Sequence, residues 1–402
     1  MIPSGPSRRR FLPFLTGAMS QQVGLLAGAH TIVFAGLLTD GSSFAAIGRS
    51  QMATLLLPVL LALPLGVLAD RVSRRAALAW TGTLSAAVLA SLALATWLGA
   101  VAMPHLVPSA LLLAVLYTSG ELSRDAHAPT AVGRDRLVPV NAAVALVAYL
   151  GFFAIAPLFD PGTLPIALAV AALGFAASVL LFRAVEVPEE PVPPRTGWWR
   201  ESAEGVRFTL THPVLRAIAT YLVAVTVLHP LLDDLVVPPG IAEGTATAAD
   251  IALLEWVISL ATPAGALLAL LLYRRVGVFR LSWLAILVTQ PFALLLVPAE
   301  AGPLWYVLGK AVPWLGATVT GVTLLSHRQM ITPGRLQGRT GATLVLLLGM
   351  ASVAGSVLEA LTAYLMEPLD AGTRWPIVVL AATGLTAAAV PLFRVRQLVT
   401  VL

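Results

Sequence analysis

Gly66-Val67-Leu68-Ala69-Asp70-Arg71-Val72-Ser73-Arg74-Arg75 is a short charged connection between two long apolar runs, residues 44–69 and 76–98. About 20 apolar residues at ~1.5 Å rise cross a ~30 Å hydrocarbon core, so each run is long enough to span a bilayer. So brief a connection forces a tight antiparallel helix hairpin. Its three arginines and one aspartate must then share one membrane face. Arginines at such a turn set orientation. A passive connector has no use for a carboxylate among them, which marks Asp70 for a mechanical role.

The composition makes the bilayer the solvent. Of 402 residues 58% are hydrophobic and 11% charged, with a mean hydropathy of +0.88, whereas a soluble domain carries about 25% charged residues. At membrane depth every backbone group must be satisfied internally, which leaves helices or closed barrels. The runs are long and rich in Leu and Ala without strict alternation, so the expected fold class is all-α integral membrane. Cysteine is absent, which excludes a disulfide framework and thiolate metal sites.

The basic excess invites a nucleic-acid reading that the charge positions refute. Of 25 Lys and Arg residues, 22 fall in alternate connections, at 8–10, 71–75, 124–136, 183–216, 274–280, 328–339 and 394–396. That asymmetry is the positive-inside pattern, and it puts both termini in the cytoplasm. No nucleic-acid partner is expected. The N-terminal apolar run is too long for a signal peptide and reads as the first span.

Twelve spans are expected, at 11–38, 44–69, 76–98, 104–122, 138–159, 163–183, 213–237, 250–273, 279–298, 303–325, 340–365 and 373–394. The long polar insertion opens with Pro188, Pro191, Pro193 and Pro194, which is extended linker chemistry. From Trp198 to Leu210, Trp and Phe interleave with Glu and Arg, as in an amphipathic helix lying at the membrane surface. The expected domains are residues 1–184, a linker at 185–212, and residues 213–402. Two segments repeat weakly six spans apart: Asp70–Arg75 with Tyr273–Gly277, and Ala128–Arg136 with Thr332–Arg339. Repeated halves around a central site are a common build of secondary transporters.

The opening stretch resembles the loop between helices two and three of the major facilitator superfamily, G-x-L-A-D-R-x-G-R-R, with Ser73 in place of a Gly. Two more segments carry the likeness: Arg124-x-Ala126-x-x-Pro129-x-x-Val132 leading to Leu137-x-x-x-Asn141-Ala142, and Gln329-x-x-x-Pro333 leading to Gly338-Arg339. Their spacing resembles the drug- and siderophore-efflux branch, which includes the enterobactin exporters. The resemblance implies 12 transmembrane helices in two pseudo-symmetric six-helix halves, the major facilitator fold. It implies a conformational gate of Gly66, Asp70, Arg71, Arg74 and Arg75 against Gly338 and Arg339, and a monomer in the bacterial inner membrane. Two departures stand out: Gln21-Gln22-Val23-Gly24 where the branch often has Gly-Asp, and Ala154–Phe159, which keeps Pro157 without the glycines of the efflux antiporters.

Ionisable residues inside spans form a second set: His30, Arg49, His229, Asp233, Asp234, Glu255, Lys310 and Glu359. A charge at depth costs at least ~2.5–3.5 kcal/mol and therefore faces a cavity or a partner. Glu359 lies far from other charges in sequence and is the candidate proton carrier, with Lys310 its candidate ion-pair partner. Gln21, Gln22, Tyr149, Gln290 and Tyr306 are candidates to line a route or to bond neighbouring helices. No phosphate-cradling Gly loop, nucleophile–base set or metal-ligand spacing is present. The chain therefore reads as a non-enzyme without cofactors. The expected function is proton-coupled transport of a small organic solute, most simply efflux by antiport. The alternative is a membrane protein that keeps the fold and serves as a sensor or assembly partner.

Overall fold

A computed structural model of the chain describes residues 8–37, 44–158, 160, 162–185, 197–233, 247–297, 302–366 and 375–399. The described residues form α1 (Arg8–Leu37), α2 (Phe44–Arg71), α3 (Arg74–Trp97), α4 (Met103–Val132), α5 (Leu137–Ile155), α6 (Leu164–Arg183), α7 (Trp198–Thr211), α8 (Pro213–Leu228) and α9 (Pro230–Asp233). There follow α10 (Ala248–Ser259), α11 (Ala261–Val276), α12 (Val278–Thr289), α13 (Pro303–Ile331), α14 (Gln337–Met366), α15 (Trp375–Ala387), α16 (Val390–Arg394) and α17 (Arg396–Val399). Among the described residues, 11 helical stretches are long and apolar enough to cross a membrane. The remaining expected span is α1, whose apolar character Ser20, Gln21 and Gln22 dilute. The chain is an all-helical, multi-pass membrane protein.

Proline accounts for most interruptions of the expected spans. Pro230 follows the break between α8 and α9, and Pro291 opens a 3-10 segment, Gln290–Leu296, at the end of α12. Two expected boundaries are corrected: α13 does not stop near residue 325 but runs to Ile331, and α4 does not stop near residue 122 but runs to Val132. Ser123, Ala126, His127, Ala131 and Val132 keep helical spacing and are buried, and Ser123 Oγ donates to the Ser119 carbonyl at 2.8 Å. Pro129 removes only one N–H from the ladder. The polar motif that reads as a loop is thus carried on a helix. That helix ends at Gly133, whose φ of 85° is open to glycine.

The chain divides into two compact units. The first gathers Met1–Phe208 and Gln329–Leu346, the second Thr209–Arg328 and Leu347–Leu402. Gln329–Leu346 and most of α7 thus join the N-terminal helices, a grouping that the bonds described below account for.

In the first unit α1 and α3 both lie against α6, and α2 and α3 pack on α4. Small residues let the backbones approach, as membrane helices require. A Cβ on Gly174 of α6 would stand 3.0 Å from the Ser20 carbonyl oxygen and 3.2 Å from the Gly24 Cα on α1. Phe14, Leu78, Val140 and Phe182 fill one layer, and Leu89, Leu113, Leu168 and Phe175 another. In the second unit Tyr306, Leu296, Ile258 and Leu385 form the core, with α15 against the 3-10 segment and α8.

Large apolar side chains such as Leu60, Trp80, Leu173 and Leu380 are exposed, as a lipid-facing surface demands. Trp97, Trp305 and Trp375 sit at helix ends, where interfacial anchors are favoured. Gly174→Val should overpack the α1–α6 crossing at about 1–3 kcal/mol. Thermal unfolding in detergent should show a lowered midpoint, and an unchanged midpoint would mean that the two helices do not approach there.

Candidate functional site

Asp70 lies on the last turn of α2, and its carboxylate is wholly buried. Its Oδ1 accepts the N–H of Gly338 at 2.8 Å and its Oδ2 the N–H of Arg339 at 3.0 Å. These amides belong to the first turn of α14, where N–H groups have no carbonyl in their own helix. Asp70 therefore caps α14 from a distant part of the chain and meets the positive end of its dipole. The Arg339 Nε stands 3.5 Å from Oδ2 and adds a counter-charge.

Two glycines make the approach possible. A Cβ on Gly338 would lie 2.7 Å from the Gly66 carbonyl oxygen and 2.8 Å from Asp70 Oδ1. One on Gly66 would lie 2.8 Å from the Gly338 carbonyl oxygen and collide with Ala342. The turn between α2 and α3 needs no glycine. Ser73 has φ −55°, and its hydroxyl oxygen accepts the N–H of Ala76 at 3.2 Å, capping α3.

The arginines around Asp70 are neutralised by α7. Arg71 grips Glu201 with two parallel bonds, Nε to Oε2 at 3.0 Å and Nη2 to Oε1 at 2.8 Å, the strong geometry for a guanidinium–carboxylate pair. Arg339 donates to Glu201 Oε2 at 2.9 Å and to Glu204 Oε2 at 2.7 Å, and Arg335 reaches Glu204 Oε1 at 2.6 Å. The Arg71 guanidinium also sits 4.4 Å from the centroid of the Trp198 ring. Gly205 lets α7 lie flat, since a Cβ there would come 3.1 Å from the Arg339 carbonyl carbon. The expected amphipathic helix is present, and the face it buries is the polar one, with Glu201 and Ser202 inside and Trp199 exposed. Guanidiniums below it are the physical reason.

Other motif residues close the same region. Arg74 donates to the Gly334 carbonyl at 2.8 Å. Asn141 donates to Gln329 at 2.9 Å, joining two of the sequence motifs. Gln337 Nε2 holds the Gln329 and Thr332 carbonyls at 2.8 and 2.9 Å. Arg75 turns the other way and donates to the Arg183 carbonyl at the end of α6. The repeated segments also match locally: three-residue 3-10 turns, Arg134–Arg136 and Gly334–Leu336, run straight into α5 and α14. Glu201 and Glu204 are functional candidates that sequence reasoning missed. Their signal was two carboxylates three residues apart, on one face of the amphipathic segment Trp198–Leu210.

The intramembrane candidates divide. In the second unit Tyr306 donates its hydroxyl to Glu255 Oε1 at 3.1 Å, and the buried Lys310 places Nζ 4.9 Å from the centre of the Tyr306 ring. Tyr306 and Lys310 are one turn apart on α13. Glu359 is half-buried on α14. His229 ends α8 with its ring 4.8 Å from that of Trp314. His30, on α1, shares a hydrogen bond with the Leu26 carbonyl through Nδ1 at 2.8 Å. Asp234 lies outside the described residues, as do the side chains of Arg49 and Asp233. Of the candidate lining residues, Gln22 accepts from Arg124 at 2.6 Å and Gln290 donates to the Pro313 carbonyl at 3.3 Å.

Removing one partner of a buried ion pair costs about 3–5 kcal/mol, because the other charge is left unpaired. Glu201→Gln should therefore loosen α7. Limited trypsin digestion should cleave after Arg207 at least about tenfold faster, the factor that 1.36 kcal/mol of easier opening supplies. An unchanged rate would show that Glu201 does not hold the helix.

No protein-family model matches the sequence, and no curated protein matches it either. Solved structures do. The chain is similar to a bacterial homologue of the iron transporter ferroportin in an outward-facing state, at 16% identity and a TM-score of 0.74, covering 96% of this chain and 99% of that one. It is similar to the human organic anion transporter TETRAN, at 17% identity and a TM-score of 0.67, covering 95% and 100%. It also matches the E. coli fucose:proton symporter, at 15% identity and a TM-score of 0.67, covering 95% and 98%. Identities this low speak to fold alone, and over nearly its whole length the chain has the major facilitator fold.

Proposed function

We propose that this protein is a secondary active transporter that moves a small organic solute by alternating access, coupled to protons and directed outward, with the Asp70 clasp as its cytoplasmic latch. The observation that carries the reading is the capture of two α14 amides by a buried carboxylate on α2. A static scaffold needs no such contact, because ordinary apolar packing would hold it. Hydrogen bonds to a charged group are worth about 1.5–3 kcal/mol each. Each therefore biases a two-state equilibrium by about one to two decades.

The structural neighbours support solute transport as the class of activity. Their names span iron, organic anions and fucose with a proton, so none supplies a solute for this chain. Glu359 is the proposed coupling-proton site. The Glu255–Tyr306–Lys310 row is proposed to face the solute route, because a carboxylate, a phenol and an ammonium together recognise a polar organic molecule. The lipid setting is the bacterial inner membrane, the termini are cytoplasmic, the working unit is a monomer, and the drug- and siderophore-efflux branch is the proposed lineage.

Reconstituted proteoliposomes with an imposed pH gradient and a panel of organic solutes test the reading. At least one solute should move against its gradient. Asp70→Asn should insert and express normally and transport about tenfold more slowly, and full activity in that variant removes the latch. Glu359→Gln should abolish pH-driven accumulation while leaving solute exchange. Accumulation that persists in this variant assigns the proton elsewhere.

A further inference from the structure

The length of α4 carries Glu121, Arg124 and Asp125 on a helix rather than in a connection. Their depth is set by α1. Arg124 Nη1 donates to Gln22 Oε1 at 2.6 Å, and Gln22 lies between Ser20 and Gly24, the residues that meet Gly174. Gly174 stands near the middle of α6, Leu164–Arg183, so the cluster sits at mid-span in the first unit. We propose that Glu121 is the anionic subsite at which the transporter holds the ammonium group of an organic cation, a solute class that rests on the transport reading above.

Arg124 does not depend on Glu121 for its acceptors. Its short bond goes to Gln22, while Nη2 stands 3.5 Å from Glu121 Oε1 and 3.6 Å from Asp125 Oδ1. Glu121 can therefore turn to another cation without leaving the guanidinium unmet. It is also the open member of the cluster, its side chain 43% exposed against 12% for Arg124. A carboxylate at this depth is too costly against lipid, so its open side faces water or a solute. Tyr117, Thr118, Arg124 and Asp125 share its helix face at three- and four-residue spacing, which makes that face a polar one.

The unmet capacity at this level accepts hydrogen bonds. A carboxylate has about four lone-pair sites, and among the described residues only Arg124 and Gln22 bond Glu121. Gln21 is 3% exposed, and its Oε1 has no hydrogen-bond partner among the described residues. Its Nε2 lies against Gly120, the residue before Glu121. A fitting ligand thus brings donors and positive charge, which an ammonium does. A metal ion fits less well, because among the described residues no three His, Asp or Glu side chains group as a metal site. The Tyr117 ring, one turn earlier on α4 and stacked on Phe175 at 5.2 Å, offers an aromatic surface to the apolar body of such a solute.

Thermal unfolding of the full-length protein in detergent tests the subsite. The probes are arylamines, alkylamines and quaternary ammoniums, each paired with its neutral alcohol and its carboxylate. At least one cation should raise the midpoint saturably, and its alcohol and carboxylate should not. Glu121→Gln should weaken that cation at least about tenfold, the loss of one charge-assisted hydrogen bond, and Glu121→Asp should recover part of it. If Glu121→Gln fails to fold, carbodiimide labelling of wild-type Glu121 decides: the cation should protect it and the alcohol should not. Absence of cation binding, equal binding of the carboxylates, or undiminished binding by folded Glu121→Gln overturns the proposal. Proteoliposomes separate this failure from that of the transport reading. A cation that binds at Glu121 but never crosses the membrane removes transport and leaves the subsite. A solute that moves equally well with Glu121→Gln keeps transport and removes the subsite.

Discussion

A carboxylate buried against the open end of a helix governs the first unit. Asp70 has no water to solvate it, so its charge must be met by protein, and the first amides of α14 meet it. Much else follows from that constraint. Gly66 and Gly338 have no side chains because any side chain would separate the carboxylate from its donors. Arg339 is drawn in as counter-charge, and its guanidinium then needs acceptors of its own. Glu201 and Glu204 supply them, which places α7 over the junction. The grouping of Gln329–Leu346 with the N-terminal helices is the outcome of this chain of electrostatic debts.

Polar groups elsewhere obey the same rule with less consequence. Hydroxyls such as those of Thr31, Thr323 and Ser326 turn back onto carbonyls one turn earlier in their own helices, the local solution for a polar group out of water. Asp70 has no such option at a helix C-terminus, where the nearby carbonyls repel it. It needs a partner from elsewhere in the fold, and a partner from elsewhere can be lost and regained.

The order of the membrane-crossing stretches was legible from hydropathy, because twenty apolar residues in lipid have few alternatives. Asp70 stood out as well, since an acid among arginines is chemically out of place, but its meeting with Gly338 and Arg339 was implied only by the resemblance to a family loop. The extension of α4 was not legible. Arg124, Asp125, His127 and Pro129 look like a loop, and only their bonds and burial in three dimensions make them helical. Glu201 and Glu204 were hidden for a related reason: an acid on a polar insertion reads as solvated until the fold brings guanidiniums beneath it. The serine at position 73 looked like a departure from the family pattern. The backbone there is not in the left-handed region, so the turn loses nothing, and the hydroxyl gains a helix cap.

The ion cluster around Asp70 has one more property. Its three carboxylates, on Asp70, Glu201 and Glu204, stand against three guanidiniums, on Arg71, Arg335 and Arg339. Arg74 acts on Asp70 as well and makes a fourth, which leaves the cluster one positive charge in excess. A cluster with that surplus tolerates the loss of a guanidinium better than the loss of a carboxylate, since removing an acid leaves buried positive charge unmet.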